Sequence, residues 1–139
     1  MTAQAQDPEY YHPPVTSEET YVSMARVLPE SSREERIAVT QSLEISLIQR
    51  PFPSRFVMFV AGPEADTLII SVNSSIEMDT EYRARALLQG FTAVARTLPF
   101  MQEHNVEDIF TFLDVAKLSG FKTIIVTNGK DFTHRITLA

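Results

Sequence analysis

Hydrophobic and polar positions change period several times along the 139 residues of this chain. From Ile37 onward, Ile37, Val39, Leu43, Ile45 and Leu47 occupy odd positions, while Ala38, Thr40, Ser42, Glu44 and Ser46 occupy even ones. A period of two predicts a long strand with one buried face. Ser32 and Glu35 have capping-box spacing, and Val39, Leu43 and Leu47 also fit a helical stripe. Residues 33–49 are therefore strand or helix, and their β-branched content favours strand. "RPFPSR" turns the chain, because two prolines do not join a central ladder. "FVMFVA" and "TLIISV", joined by "GPEAD", are apolar on both faces and read as interior strands.

From about Asp79 the period becomes helical. Ala84, Leu87, Leu88, Phe91, Val94, Ala95 and Leu98 form one wide stripe, ended or kinked by Pro99. Gly90 falls inside that helix, where it suggests a close approach of a neighbouring element. Asn105 is placed to cap a second helix, with Glu107 and Asp108 in its first turn and Val106, Ile109, Phe112, Leu113 and Ala116 facing inward. Lys117 falls in the last turn, and Gly120 suits the left-handed position just past the end.

Before these elements, residues 1–15 are polar, contain three prolines and lack a period, which predicts a disordered tail. "EYYHPP" within it is a candidate docking segment. Thr16 and Glu19 form a further capping-box pair, predicting a short helix through about Val27 that Pro29 stops.

At the other end, "FKTIIVT" and "DFTHRITLA" read as a hairpin. Ile124, Val126, Phe132, Ile136 and Leu138 are all even, so placing them on one face requires even-with-even pairing and an odd-numbered loop. A Thr127-Asn128-Gly129 loop with a left-handed Gly129 meets that need. Asp131 then faces away from His134, which excludes an Asp131–His134 dyad. His134 instead shares the apolar face, opposite Lys122.

Strands and helices thus segregate in blocks. The expected fold is α+β: a largely antiparallel five-stranded sheet, a helix pair between strands 3 and 4, and a short N-terminal helix, in the order α-β-β-β-α-α-β-β. Residues 16–139 make a single domain, a length that supports a core without staples.

Composition narrows the function classes. Cysteine is absent, which removes disulfides, thiolate metal sites and thiol catalysis. The formal net charge is −6, with no basic stripe to meet a phosphate backbone or an anionic bilayer. The start of the chain lacks a signal-peptide pattern, and no apolar run approaches ~18 residues. A cytoplasmic protein that binds neither nucleic acid nor membrane is expected.

Candidate chemistry is sparse. No phosphate-binding glycine loop and no nucleophile elbow occur, and Ser74 and Ser75 serve best as caps. His104 with Asp108 is a weak metal pair, and Glu64 with Asp66 is better explained by turn geometry. Neither a metal, a cofactor nor a catalytic residue is expected. Large apolar residues instead outnumber what one helical layer covers, which suggests an interaction face. Phe59, Ile70, Phe132, His134 and Ile136 are its candidates.

The order of elements, the size and the acidity resemble those of the small acidic chaperones of bacterial secretion systems, although this chain closes on a strand. The resemblance implies a homodimer whose strands and first helix bind an extended client segment. The leading expectation is a small acidic interaction or adaptor module with a protein partner. A histidine-dependent enzyme or ligand-binding domain, and a structural subunit of a phage or secretion assembly, are the alternatives.

Overall fold

A computed structural model describes residues 12–48, 56–73, 76–95 and 111–139. The "EYYHPP" aromatics, the "RPFPSR" turn, Ser74, Ser75, Pro99, His104 and the Asn105 cap lie outside the described residues.

The first element is a strand where a helix was expected. β1 spans Ser17–Tyr21, with alternating burial. Both supposed capping groups are used across the sheet: Thr16 Oγ1 donates to the Thr133 carbonyl at 3.2 Å and accepts from Thr133 N–H at 3.1 Å. Glu19 turns to His134. Partners more than a hundred residues away outweigh a local pattern that would satisfy two amides.

The second element reverses the other way. Helix α1 spans Arg33–Ile48. Ser32 Oγ accepts from Glu35 N–H at 3.1 Å, and Glu34 and Glu35 complement the dipole in the first turn. The buried positions are Arg36, Val39, Thr40 and Leu43, one helical stripe, while Ile45 is 57% exposed. The apparent odd-numbered face was therefore accidental. The cap and the 3.6-residue stripe prevail over β-branched propensity, a weak term that packing overrides.

Strands β2 (Phe56–Ala61) and β3 (Thr67–Val72) form the expected antiparallel pair around the Gly62 turn. Helix α2 (Glu81–Gly90) follows, capped by Thr80, whose side chain accepts from Arg83 N–H. The short α3 (Thr92–Ala95) and then α4 (Phe112–Leu118) come next. Ala84, Leu88, Phe91, Val94, Ala95, Phe112, Leu113 and Ala116 are all buried, as their stripes predict. α4 is capped by a reciprocal box between Thr111 and Asp114, and Gly120 beyond it adopts φ +94°. Gly90 is the last residue of α2, and a Cβ there would meet nothing within 4 Å, so no close approach depends on it. Gly90→Ala is expected to stabilise the domain by about 0.5 kcal/mol, seen as a higher urea midpoint with an unchanged slope.

β4 (Thr123–Thr127) and β5 (Thr133–Leu138) close the chain as a hairpin. Its parity is as expected: Ile124 pairs with Ile136 and Val126 with His134. The tip sits two residues further on than Thr127-Asn128-Gly129, so His134 lies opposite Val126 and not Lys122. The reason is Asn128, whose Oδ1 accepts from the amides of Lys130, Asp131 and Phe132 and so organises the bend. Gly129 supplies the left-handed φ of +74°.

The sheet order is β1-β5-β4-β3-β2. β1 with β5 and β3 with β4 are parallel, and the other two pairs are antiparallel. Five strands and the α+β class stand as expected, but the sheet is mixed, with the helical crossover joining β3 to β4. β2, expected in the interior, is an edge strand.

The described helices share one core with Met58, Leu68, Ile70, Val72, Ile124, Val126, Ile136 and Leu138, so they cover a single sheet face. The opposite face holds a smaller cluster of Ala61, Ile69 and Ile125 beside Phe59. Ile69 is fully buried and Ile125 is 3% exposed within the single chain, so the centre of that face is already covered. No helix among the described residues is long and apolar enough to cross a membrane.

Candidate functional site

The polar chemistry gathers on β1, the strand that local pattern misassigned. Alternation points Ser17, Glu19 and Tyr21 toward the helices and leaves Glu18 and Thr20 on the other face. Parallel pairing sets Ser17 against His134 on β5. The imidazole is fully buried and stacks on Phe132, with centroids 6.4 Å apart.

Both ring nitrogens are engaged. Nδ1 lies 2.7 Å from Ser17 Oγ, and Nε2 lies 2.6 Å from Glu19 Oε2. A carboxylate only accepts, so in the neutral ring Nε2 carries the proton and Nδ1 accepts from the Ser17 hydroxyl. Glu19 also accepts from Arg85 of α2, whose guanidinium stands 5.5 Å over the Tyr21 ring.

The polar row continues along the strand. Tyr21 donates to Asp114 Oδ1 at 3.2 Å, and Ser23 Oγ donates to the same oxygen at 2.6 Å. Asp114 is 2% exposed and also accepts from Thr111 N–H at 3.0 Å, so a single carboxylate both caps α4 and fastens the end of β1.

Ser17 opens on a cavity of about 420 Å3 between the β5 start and the first turn of α2, bordered by Thr80, Glu81, Asp131 and Phe132. It lies at the amino ends of the parallel strands β1 and β5, beside the start of α2.

Glu19, Glu81 and His134 bring one ligand atom each within 4.8 Å of one another. Ligands of a tetrahedral zinc at ~2.1 Å stand about 3.4 Å apart, so the 2.6 Å His134–Glu19 contact would have to open. His134 and Glu19 work better as a hydrogen-bonded chain that ends at Ser17 than as a metal site with Glu81.

The sequence candidates are dispersed. Ile70, His134 and Ile136 are fully buried and Phe132 is 7% exposed, all on the helix-covered face. Phe59 sits half-buried on the opposite face. Asp131 bonds Asn128 and does not join His134, as parity requires. In the "GPEAD" turn, the carbonyls of Glu64 and Ala65 accept from Arg36, which makes it a structural anchor.

Ser17, Glu19, Tyr21, Arg85 and Asp114 escaped sequence reasoning. The one usable signal was the S-E-E-T-Y alternation, which the Thr16–Glu19 spacing masked.

The outer edge of β1 forms the second half of the site. Its inward groups bond β5 through Ala139, which donates to the Tyr21 carbonyl and accepts from Ser23 N–H. The backbone groups of Glu18, Thr20 and Val22 therefore point away from the sheet. Beyond the strand, Val22 is 75%, Met24 82% and Val27 48% exposed. Comparison of the chain with family models, with curated proteins and with solved structures gave no match.

Proposed function

We propose that this protein is a small interaction module that docks an extended client segment along the outer edge of β1. Without a client, the same edge pairs with that of a second copy to give a homodimer. The carrying observation is the β1 edge itself, with outward backbone groups at Glu18, Thr20 and Val22 running directly into the exposed Val22, Met24 and Val27.

Proteins blunt free edges with charge, proline or bulges. The charges on β1 are engaged within the chain, Glu18 with Arg135 and Glu19 with Arg85 and His134, so they repel an incoming strand less than free carboxylates would. An added strand gains main-chain hydrogen bonds from the edge and apolar contact from Val22 and Met24. Methionine suits such a surface because its flexible thioether adapts to varied side chains. At the opposite edge, α1 stands against β2 and Glu44 accepts from Met58 N–H, which obstructs addition there.

Thr20→Pro separates this reading from others, because it removes one outward donor and leaves the inward ladder untouched. Against a displayed library of extended peptides, the wild-type chain is expected to select segments with alternating apolar residues. Thr20→Pro is expected to weaken the selected peptides about tenfold, the worth of one hydrogen bond at a dry edge. It is also expected to shift sedimentation from dimer to monomer, while Val57→Glu at the far edge changes neither. Binding indifferent to Thr20→Pro would sink the proposal, and sedimentation beyond a dimer would favour an assembly subunit.

A further inference from the structure

The buried face of β1 carries a feature that strand docking does not use. The geometry points to Ser17 as a nucleophile activated by His134, with Glu19 orienting the imidazole, in a site for small carboxylic esters. Three relations support this. Ser17 Oγ lies 2.7 Å from His134 Nδ1, and Nε2 lies 2.6 Å from Glu19 Oε2, the nucleophile–base–orienter sequence of acyl-transfer enzymes. Ser17 also borders a cavity of about 420 Å3, within the range of small-ligand sites. Finally, the first turn of α2 borders that cavity at Thr80 and Glu81; Arg83 N–H is taken by Thr80 Oγ1, and the other first amides of a helix lack intrahelical acceptors, which makes them the nearest backbone donors for a developing oxyanion.

The steps balance with water as the only co-reactant. Ser17 Oγ attacks the ester carbonyl carbon as its proton passes to His134 Nδ1. The C–O bond to the alcohol then breaks, and the alkoxide leaves with that proton. Water attacks the acyl-serine and gives its proton to Nδ1; the bond to Ser17 Oγ breaks, and the serine recovers the proton as the acid departs. Glu19 acts as a positioning residue throughout: it fixes the tautomer with Nδ1 bare and stabilises the transient imidazolium. Arg85 holds Glu19 in place. Asp79, Glu81 and Asp131 line the mouth, so the substrate is an uncharged or cationic ester and not an anionic one.

A fluorophosphonate probe on the full chain tests this, with each variant checked for folding by circular dichroism. One adduct is expected on the peptide containing Ser17, absent in Ser17→Ala and at least tenfold slower in Glu19→Gln. p-Nitrophenyl acetate is expected to turn over faster than mono-p-nitrophenyl succinate. A folded wild-type chain without an adduct, an adduct elsewhere, equal labelling in Glu19→Gln, or preference for the succinate ester would overturn it. In that event, the three residues form a latch between β1 and β5. Strand docking at the outer edge is read by Thr20→Pro, so the two proposals fail separately.

Discussion

Gly120→Ala is expected to destabilise the domain by about 4 kcal/mol, lowering the melting temperature by roughly 15 °C. Gly120 holds φ +94°, where an alanine costs roughly 1–2 kcal/mol. Space is the larger obstacle. A Cβ would stand 2.1 Å from Ser31 Oγ and 2.7 Å from Arg36 Nη1. Arg36 cannot simply withdraw, because it is 8% exposed and its donors reach Ser31 Oγ and the carbonyls of Glu64, Ala65 and Ser119. Those bonds join the start of α1, the β2–β3 turn and the end of α4, and each lost bond to a buried charge costs ~1.5–3 kcal/mol. Gly129→Ala is the control: φ is +74° there, but the new Cβ meets only Ser71 Oγ at 3.8 Å, so about 1 kcal/mol is expected. Calorimetry showing equal losses at both positions would exclude crowding as the cause.

Asp114→Ala is expected to cost about 3 kcal/mol and to loosen β1 specifically. Its carboxylate takes hydrogen bonds from Thr111 N–H, Tyr21 and Ser23 inside the protein. Removing it strips the cap from α4 and leaves two part-buried hydroxyls without that acceptor. Hydrogen exchange reads the locality: the amide of Ser23, which faces β5, is expected to lose protection more than that of Ile125 at the sheet centre. Uniform loss across the sheet would show that Asp114 stabilises the fold globally and does not fasten β1.

The legible parts of this fold were those decided by local chemistry. The β2–β3 hairpin, the helical stripe from Ala84 to Ala95, the left-handed Gly120 and the parity of the β4–β5 hairpin depend on periods and turn residues within a few positions. Residues 16–48 failed because two capping boxes compete there and sequence alone does not rank them. Ser32–Glu35 opens a helix whose stripe of Val39 and Leu43 meets the core. Thr16–Glu19 loses, because Thr133 and His134 offer those side chains better partners across the sheet. The same long-range pairing hid the site. Parity placed His134 on the inner face and excluded Asp131, but nothing local indicated that Ser17 and Glu19 would flank the ring. The interface candidates chosen for their apolarity proved to be core for the same reason: Ile70 and Ile136 lie under the helices.

The span between Ser17 and His134 has a kinetic consequence. Their contact closes a stretch of 117 residues, whereas β2 with β3, and β4 with β5, join neighbours across short turns. Closure entropy rises with the length enclosed, so β1 is expected to pair after the β4–β5 hairpin has formed. In native-state hydrogen exchange β1 is expected to be the first strand to open. Without β1 the outer edge of the sheet would be β5, and Ile136 and His134 would lose the cover that β1 provides. A segment that mimics S-E-E-T-Y would compete for β5 at that stage, which makes the order of assembly a point of control over the fold.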